Sequence, residues 1–334
     1  MEYFRKLQFR LYTIQINLLF KKIDNIKQRK MKTTNQTKLF LMFTFIISFS
    51  IAGAYKLIYG GEIANISYTI MGAIYMFVPT LSVIIVKKLI CKEKLRSDLQ
   101  ISFKINKWFF AAWFIMPIVA FGALGISLLL PGVSYNPEMT GLAERFSTMS
   151  SPEQVEQMKA QIAALPISPI WLILIGGLFA GITINGLFAF GEELGWRGFL
   201  VYQFRKMSFA KASVIIGFIW GIWHAPLILM GHNYPNHPQF GVLMMVLLCI
   251  LLTPILIYFT LKAKSVIAAA ILHGTMNATA TISILPISGG NDLLAGSTGL
   301  AGMIALVIVI LSIYIYDHYI SAEKIMNTTI SDNL

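Results

Sequence analysis

Two adjacent glutamates and an arginine stand in an otherwise uncharged stretch, the run Phe190-Gly-Glu-Glu-Leu-Gly-Trp-Arg-Gly-Phe-Leu200. Successive residues of an α-helix turn by about 100°, which puts Arg197 roughly 40° from Glu193 and roughly 140° from Glu192. Glu193 and Arg197 are therefore predicted to pair along one helix face, whereas Glu192 lacks that partner. A carboxylate without such a partner suits a general base, which takes a proton from water.

Two histidines and an asparagine are polar groups within two further apolar segments. His224 lies in the run Trp220-Gly-Ile-Trp-His-Ala-Pro226, and His273 and Asn277 are four residues apart, so they project from one helix face. One histidine could orient the water that Glu192 deprotonates, and the second, with the asparagine, could stabilise the oxyanion. The same residues leave another possibility open, since Glu192, His224 and His273 could hold a zinc ion with water as its fourth ligand.

The segments that carry these residues are apolar enough to cross a membrane. Apolar types make up 56% of the 334 residues and charged types 13%, and the mean hydropathy is +0.69, whereas soluble proteins carry about 25% charge. Residues 212–261 contain no Asp, Glu, Lys or Arg, a stretch about twice as long as one membrane-spanning helix needs. This composition excludes a soluble enzyme, a disordered chain and a disulfide scaffold. It predicts an all-α, polytopic transmembrane helix bundle of about eight spans.

The apolar segments and the charges between them predict the orientation of this bundle. Eight spans are expected at about 39–59, 67–86, 108–130, 167–190, 212–230, 240–260, 265–285 and 299–316. With eight spans, every basic cluster falls on one side, which the positive-inside rule assigns to the cytoplasm. We therefore predict an integral multi-pass protein of the plasma membrane, with both termini and the opening of the active site on the cytoplasmic side. Glu192, His224 and His273 should lie at similar depths, roughly 10–20 Å from that surface.

The chain divides into one membrane domain with short flanking segments. Residues 1–38 are predicted to form a basic cytoplasmic tail or a helix lying on the membrane surface; residues 39–320 form a single transmembrane domain with its motifs in 190–277, and residues 321–334 form a cytoplasmic tail. Residues 1–38 contribute +8 of the net charge of +12. Their place beside a membrane span indicates anionic lipid and not nucleic acid as the partner.

The outer loops carry two smaller features. Ser151, Pro152 and Gln154 predict the start of a short helix with a capping box. His232 and His237 lie in a turn rich in proline and asparagine and are interpreted as solvated loop residues.

The three motifs together resemble those of the CPBP intramembrane proteases. The matching residues are Glu192-Glu193-x-x-x-Arg197, an aromatic-x-x-x-His motif that ends at His224, and His273-x-x-x-Asn277. That family includes the type II CAAX prenyl endopeptidases and bacterial proteins tied to bacteriocin processing and self-immunity. The resemblance covers about residues 167–285. One departure is Trp220, which stands where the family usually has phenylalanine.

The resemblance implies a role for each motif residue. Glu192 would be the base and His224 would help to hold the water. His273 and Asn277 would form the oxyanion site, and Glu193 with Arg197 the structural pair. Family members have been called metalloproteases, and a metal-free glutamate mechanism has also been proposed. This sequence lacks a His-Glu-x-x-His helix, so its own spacing does not require zinc.

Three classes of function follow from these residues. The first is an endopeptidase that hydrolyses a peptide or membrane-protein substrate near the cytoplasmic membrane face. The second is a non-catalytic membrane scaffold or bacteriocin self-immunity protein of the same fold. The third is a transporter, since intramembrane Glu and His also serve proton relays; it ranks last because the sequence shows no internal repeat. The sequence leaves open the substrate, its prenylation, the need for metal, and a start at Met1 or Met31.

Overall fold

A computed structural model describes residues 35–63, 66–95, 98–147 and 151–334, and over these residues the protein is a bundle of α-helices. The all-α polytopic prediction is confirmed. Within the described ranges, six helices are long and apolar enough to cross a membrane, and one bent helix pair makes a seventh span. A shorter apolar helix, Phe209–Trp223, occupies the place of the predicted fifth span. The tail or surface helix predicted for residues 1–38 lies outside the described residues, except for its last four.

The helices follow one another with few strands between them. In chain order they are α1 (Asn35–Tyr59), α2 (Ile66–Ile84), α3 (Lys107–Ser127), α4 (Gly141–Phe146), α5 (Pro152–Ala163), α6 (Pro169–Ile182), α7 (Ile184–Glu193), α8 (Val201–Gln203), α9 (Phe209–Trp223), α10 (Ala225–Ile228), α11 (Pro238–Ala263), α12 (Val266–Thr279) and α13 (Leu300–Ile315). Wider π-helical turns extend three of them, at Ile85–Ile90, Leu194–Leu200 and Tyr316–Ile320. Two short strands, β1 (Val133–Tyr135) and β2 (Ile287–Gly289), pair antiparallel, with Ser134 opposite Ser288.

The fourth predicted span is a bent pair of helices rather than one straight helix. The helices α6 and α7 meet at Thr183 with a bend of 51° when α7 is followed through to Gln203. The Thr183 hydroxyl donates to the carbonyl oxygen of Phe179 at 2.7 Å, a bond that competes with the regular helix pattern. The second half therefore continues well beyond residue 190, and it carries Glu192 and Glu193 inside the bundle, where both are buried.

Glycines bring α12 close to the bent pair. A Cβ atom added to Gly177 would lie 2.6 Å from Thr279 Cγ2, and one added to Gly181 would lie 2.8 Å from Thr275 Cα. A Cβ atom on Gly274 of α12 would lie 2.6 Å from the backbone nitrogen of Gly186. Small residues at such positions let helix backbones approach closely in membranes. This packing places the second half of α12, which includes His273, against α6 and the start of α7.

Two further glycines allow the close contact between α9 and α11. Cβ atoms on Gly217 and Gly221 would lie 2.6 Å from Ile250 Cα and 2.5 Å from Val246 Cα, respectively. Trp220 lies between these two glycines in the sequence, and His224 follows directly after the last residue of α9. The close approach therefore holds both side chains beside the middle of α11.

Alanine at Gly181 is expected to lower the free energy of unfolding by about 1–3 kcal/mol, because the added methyl group must push α6 and α12 apart. Gly176 is the matched control in the same helix, since its Cβ would meet open space. Gly176→Ala should leave the stability within about 0.5 kcal/mol of the wild type. Denaturant unfolding in detergent micelles measures both. Equal effects of the two substitutions would contradict the close approach.

The loops gather at two ends of the bundle that differ in charge. At the basic end, Val266 N–H donates to Gln100 O and the Ser265 hydroxyl to Ser102 O. The C-terminal residues 321–334, predicted as a tail, fold back here, and Ile330 N–H donates to Met207 O. At the opposite end, β1 pairs with β2, and the Tyr234 hydroxyl donates to Thr298 O at 2.7 Å.

The predicted cap of the outer-loop helix is confirmed. The Ser151 hydroxyl accepts the backbone N–H of Gln154, and the Gln154 side chain accepts the backbone N–H of Ser151. Pro152 occupies the first turn.

Candidate active site

A buried ion pair joins α7 to its neighbours. Arg197 Nη1 donates to Glu193 Oε1 at 2.9 Å, as the helix geometry predicts, and Arg197 Nη2 donates to Thr253 Oγ1 of α11 at 3.0 Å. His273 Nδ1 of α12 lies 2.8 Å from the same Glu193 oxygen. All four side chains are buried. Because a buried charge is costly without a partner, this cluster holds three helices in one arrangement.

Glu192 is held separately from that cluster. Its Oε2 accepts a hydrogen bond from Trp220 Nε1 of α9 at 2.8 Å, and its side chain is 2% exposed. The bond to Arg197 goes to Glu193 instead. The carboxylate that the sequence predicts as the base is therefore oriented by an indole N–H and is not neutralised by a direct ion pair.

Trp220 lies at the centre of the site. Its ring centroid is 4.1 Å from Arg197 Cζ, a cation–π distance. The ring also packs edge-on against His224 at 5.4 Å and His273 at 5.3 Å between centroids. The sequence marks Trp220 only as a departure from the family's phenylalanine. The signal for its role was the indole N–H, a donor that phenylalanine does not have.

Phenylalanine at position 220 is expected to lower kcat about tenfold or more and to leave KM nearly unchanged. The reason is that a hydrogen bond to a charged group contributes about 1.5–3 kcal/mol, and this one orients Glu192 without filling the space of the substrate. Trp196→Phe is the control, because Trp196 is equally buried and its Nε1 has no hydrogen-bond partner among the described residues. Steady-state kinetics of both variants tests the prediction, and an unchanged kcat for Trp220→Phe would contradict it.

Both histidines are anchored through Nδ1. His224 Nδ1 lies 2.9 Å from the backbone oxygen of Trp220. A carbonyl only accepts, so His224 Nδ1 carries a proton and Nε2 is its free nitrogen. His273 uses Nδ1 towards Glu193, which likewise leaves Nε2 for another partner. The break between α9 and α10, where His224 ends α9 and Pro226 follows, sets the position of the first imidazole.

Four of the six candidate residues line a cavity of about 330 Å³. Glu192, His224, His273 and Asn277 line it, while Glu193 and Arg197 lie behind the wall. Asn277 is the exposed member of this set. The rest of the wall is largely apolar and includes Met76, Met116, Val119, Met245, Leu248, Leu252, Met276 and Leu306. The predicted side chains from three segments thus line one cavity.

The residues that the structure describes do not form an assembled zinc site. In those ranges no group of three or more His, Cys, Asp or Glu side chains is placed to hold a metal ion. One Glu192 oxygen accepts a hydrogen bond from Trp220, and both histidines use Nδ1 in a hydrogen bond to another group. Zinc held by Glu192, His224 and His273 stays a prediction.

The cavity reaches the end of the bundle opposite the basic loops. His232 and Asn233, which follow α10, and Ser297 and Thr298, which precede α13, line its outer part together with Tyr68 near the start of α2. The sequence predicts an opening on the basic, cytoplasmic side, and that opening stays a prediction.

The two loop histidines differ from their interpretation as solvated residues. His232 is half-buried and lines the cavity, with its ring 5.9 Å from that of Tyr68, and burial lowers the pKa of His232 to about 4. It is therefore neutral at pH 7. His237 Nδ1 lies 2.5 Å from the buried carboxylate of Asp292. Neither contact has a signal in the sequence, because each partner comes from a distant segment.

Comparison with known proteins singles out the same segment. Residues 166–279 match the family described as type II CAAX prenyl endopeptidase Rce1-like. Over 185 residues the chain is 27% identical to a CAAX prenyl protease 2 of Methanococcus maripaludis. That alignment covers 49% of this chain and 65% of the relative, so the chain spans less than two thirds of the relative's length. All six candidate residues lie within the matched segment 166–279.

Proposed function

Because the chain is an integral membrane protein that carries the Rce1-like segment of the CPBP proteases, we propose that it is an intramembrane endopeptidase. It hydrolyses a peptide bond by direct attack of a water molecule that Glu192 activates. One observation carries the proposal: Glu192, oriented by Trp220 and separate from the Arg197 ion pair, lines one cavity with His224, His273 and Asn277.

We assign a task to each side chain of the site. Glu192 accepts a proton from the water as its oxygen attacks the carbonyl carbon, and His224 Nε2 accepts the water's other hydrogen bond. Asn277 Nδ2 and a protonated His273 Nε2 donate to the oxyanion, and Glu193 balances the charge of that imidazolium. The carbon–nitrogen bond then breaks, and Glu192 passes its proton to the leaving amine. Glu193 and Arg197 act as the structural pair that positions His273.

The apolar wall favours a peptide or membrane-protein segment as the substrate. The relative named CAAX prenyl protease 2 makes a prenylated CAAX tail one candidate, and other membrane-active peptides fit the same wall. We place the basic end in the cytoplasm of a plasma membrane, with both termini on that side, because Lys and Arg concentrate in its loops.

A cleavage assay on purified protein in detergent tests the proposal. Wild type and Glu192→Ala are incubated with a mixed library of membrane-active and prenylated peptides, and the products are read by mass spectrometry. New fragments with wild type alone are expected. The absence of fragments with a folded wild type would contradict the proposal and favour a non-catalytic scaffold or self-immunity role.

A chelator lane in the same assay addresses the metal. Cleavage that survives the chelator would support the metal-free glutamate mechanism. Cleavage that is lost and then restored by zinc would instead support the set of Glu192, His224 and His273 as ligands.

A further inference from the structure

His224 is the last of a series of residues in contact that begins in the first two helices of the bundle. Resting on the proposed function, in which His224 Nε2 accepts a hydrogen bond from the attacking water, we propose that Tyr75 of α2 is a positioning residue for this histidine. Tyr75 acts through Trp223, the last residue of α9 and the one directly before His224. Its hydroxyl fixes the backbone where α9 ends, and that backbone carries the imidazole.

The end of α9 leaves one carbonyl oxygen without its regular partner. In a continuous α-helix, the oxygen of Trp223 accepts the backbone N–H four residues ahead, which is that of Leu227. Here Leu227 N–H donates to the oxygen of His224 at 3.0 Å instead. Pro226, in the first turn of α10, has no N–H to donate. Because a buried carbonyl oxygen without a donor is costly, Trp223 O needs a partner from another helix.

Tyr75 supplies that partner from α2. Its hydroxyl donates to Trp223 O at 2.7 Å, and both residues are buried. The two rings also pack on each other, with 4.5 Å between their centroids. The hydrogen bond and the ring contact together hold the last residue of α9 against α2 at two points.

Trp223 in turn contacts the ring of His224. The indole packs edge-on against the imidazole, with 4.9 Å between centroids. Its Nε1 donates to Ser48 Oγ of α1 at 2.8 Å, a bond that fixes the plane of the indole. Tyr75, Trp223 and His224 line the same cavity as Glu192. The imidazole therefore lies against an indole whose backbone is held by α2 and whose side chain is held by α1.

The first two helices supply these contacts from outside the family segment. Ser48 and Tyr75 precede residues 166–279, which match the Rce1-like family. The hydroxyl of Tyr75 already donates to Trp223 O, so its removal acts on the position of His224 and leaves the room for the substrate unchanged. We therefore expect α1 and α2 to contribute to the rate of the reaction and not only to the stability of the bundle.

Tyr75→Phe tests this role, because it keeps the ring and removes the hydroxyl. We expect kcat for peptide cleavage to fall about fivefold or more and KM to stay within about twofold, since the lost hydrogen bond displaces a group that acts on the water and not on the substrate. An unchanged kcat would overturn the proposal. So would a raised KM with an unchanged kcat, which would place the hydroxyl in substrate binding.

Tyr55→Phe is the matched control for the loss of a phenol hydroxyl. Tyr55 of α1 is also buried, and its hydroxyl also donates to a backbone oxygen, that of Glu62, at 2.7 Å. Tyr55 does not line the cavity. Its substitution removes the same kind of bond and should leave both kcat and KM as they are in the wild type.

A substitution in α1 tests whether the effect passes through Trp223. Ser48→Ala removes the acceptor of Trp223 Nε1 and should lower kcat about two- to threefold. The double variant Ser48→Ala with Tyr75→Phe should show a smaller fall in kcat than the product of the two single effects, because both act on the same indole. Effects that multiply would overturn the role of Trp223.

The ring signals of His224 test the positioning without any need for cleavage. Nitrogen NMR on protein labelled in its histidine side chains follows the five imidazoles, and the His224 signals are assigned by their loss in His224→Gln. One set of signals, with the proton on Nδ1, is expected for the wild type and for Tyr55→Phe. Shifted or doubled signals are expected for Tyr75→Phe, and signals identical in all three proteins would overturn the proposal.

The NMR and cleavage measurements together separate this proposal from the proposed function. If the wild type cleaves no peptide while the His224 signals change only in Tyr75→Phe, the proposed function fails and the positioning of His224 by Tyr75 stands. If the wild type cleaves and Tyr75→Phe matches it in kcat and in the His224 signals, the positioning role fails and the proposed function stands.

Discussion

Glutamine at position 192 is expected to lower the rate of peptide hydrolysis by at least about 100-fold, because general base catalysis typically contributes 10²–10⁴-fold. The amide has the size of the carboxylate, and its oxygen can still accept the N–H of Trp220, which donates at 2.8 Å in the wild type. The substitution therefore removes the proton acceptor and leaves the packing in place. Single-turnover cleavage, followed by mass spectrometry, measures the rate.

Glu153→Gln is the matched control for this loss. Glu153 is exposed in the first turn of α5, far from the cavity lining, and the same change there should leave the rate unaltered. The unfolding free energy of Glu192→Gln should match or exceed that of the wild type, since a neutral group replaces a buried carboxylate. A Glu192→Gln enzyme with full activity would remove Glu192 as the base.

Methionine at position 197 is expected to lower the free energy of unfolding by about 3–5 kcal/mol, because it leaves Glu193 as a buried charge without its partner. The pair is fully buried, with Arg197 Nη1 2.9 Å from Glu193 Oε1. Cleavage should fall as well, since His273 depends on the same carboxylate. Denaturant unfolding in detergent measures the stability, with cleavage as the second readout.

The double variant distinguishes an unpaired charge from lost packing. Glu193→Gln combined with Arg197→Met should recover part of the stability, because it removes the charge that Arg197→Met alone leaves at Glu193 without its arginine partner. Arg205→Met is the control, since Arg205 is half-exposed and stacks on Tyr202; it should change stability by less than about 1 kcal/mol. A double variant less stable than Arg197→Met would contradict the role of the ion pair.

Features that depend on spacing along one helix could be predicted from the sequence. The partner of Arg197 follows from the 100° turn per residue, and the structure pairs it with Glu193. The capping box at Ser151 follows from two side chains three residues apart. The spans follow from apolar length, and loop charge suggested which loops share an end. The meeting of Glu192, His224 and His273 followed from equal depth on antiparallel helices.

Features that depend on which surfaces meet across the bundle could not be predicted. Trp220 becomes the donor to Glu192 because the packing of the bundle brings the α9 side chain to α7. The bend at Thr183 and the partner of His232 are equally tertiary effects. The shape of the cavity likewise depends on where side chains from several helices leave space.

Hydrolysis in water enriched in ¹⁸O tests the central claim most directly. Wild type is incubated with the peptide library in this water, and the mass of each new C-terminal fragment end is measured beside a Glu192→Gln lane. Water attack at the peptide bond predicts fragments whose new carboxylate carries ¹⁸O, formed by wild type and at least about 100-fold more slowly by the variant. Fragments without ¹⁸O, or equal rates in the two lanes, would contradict a water activated by Glu192.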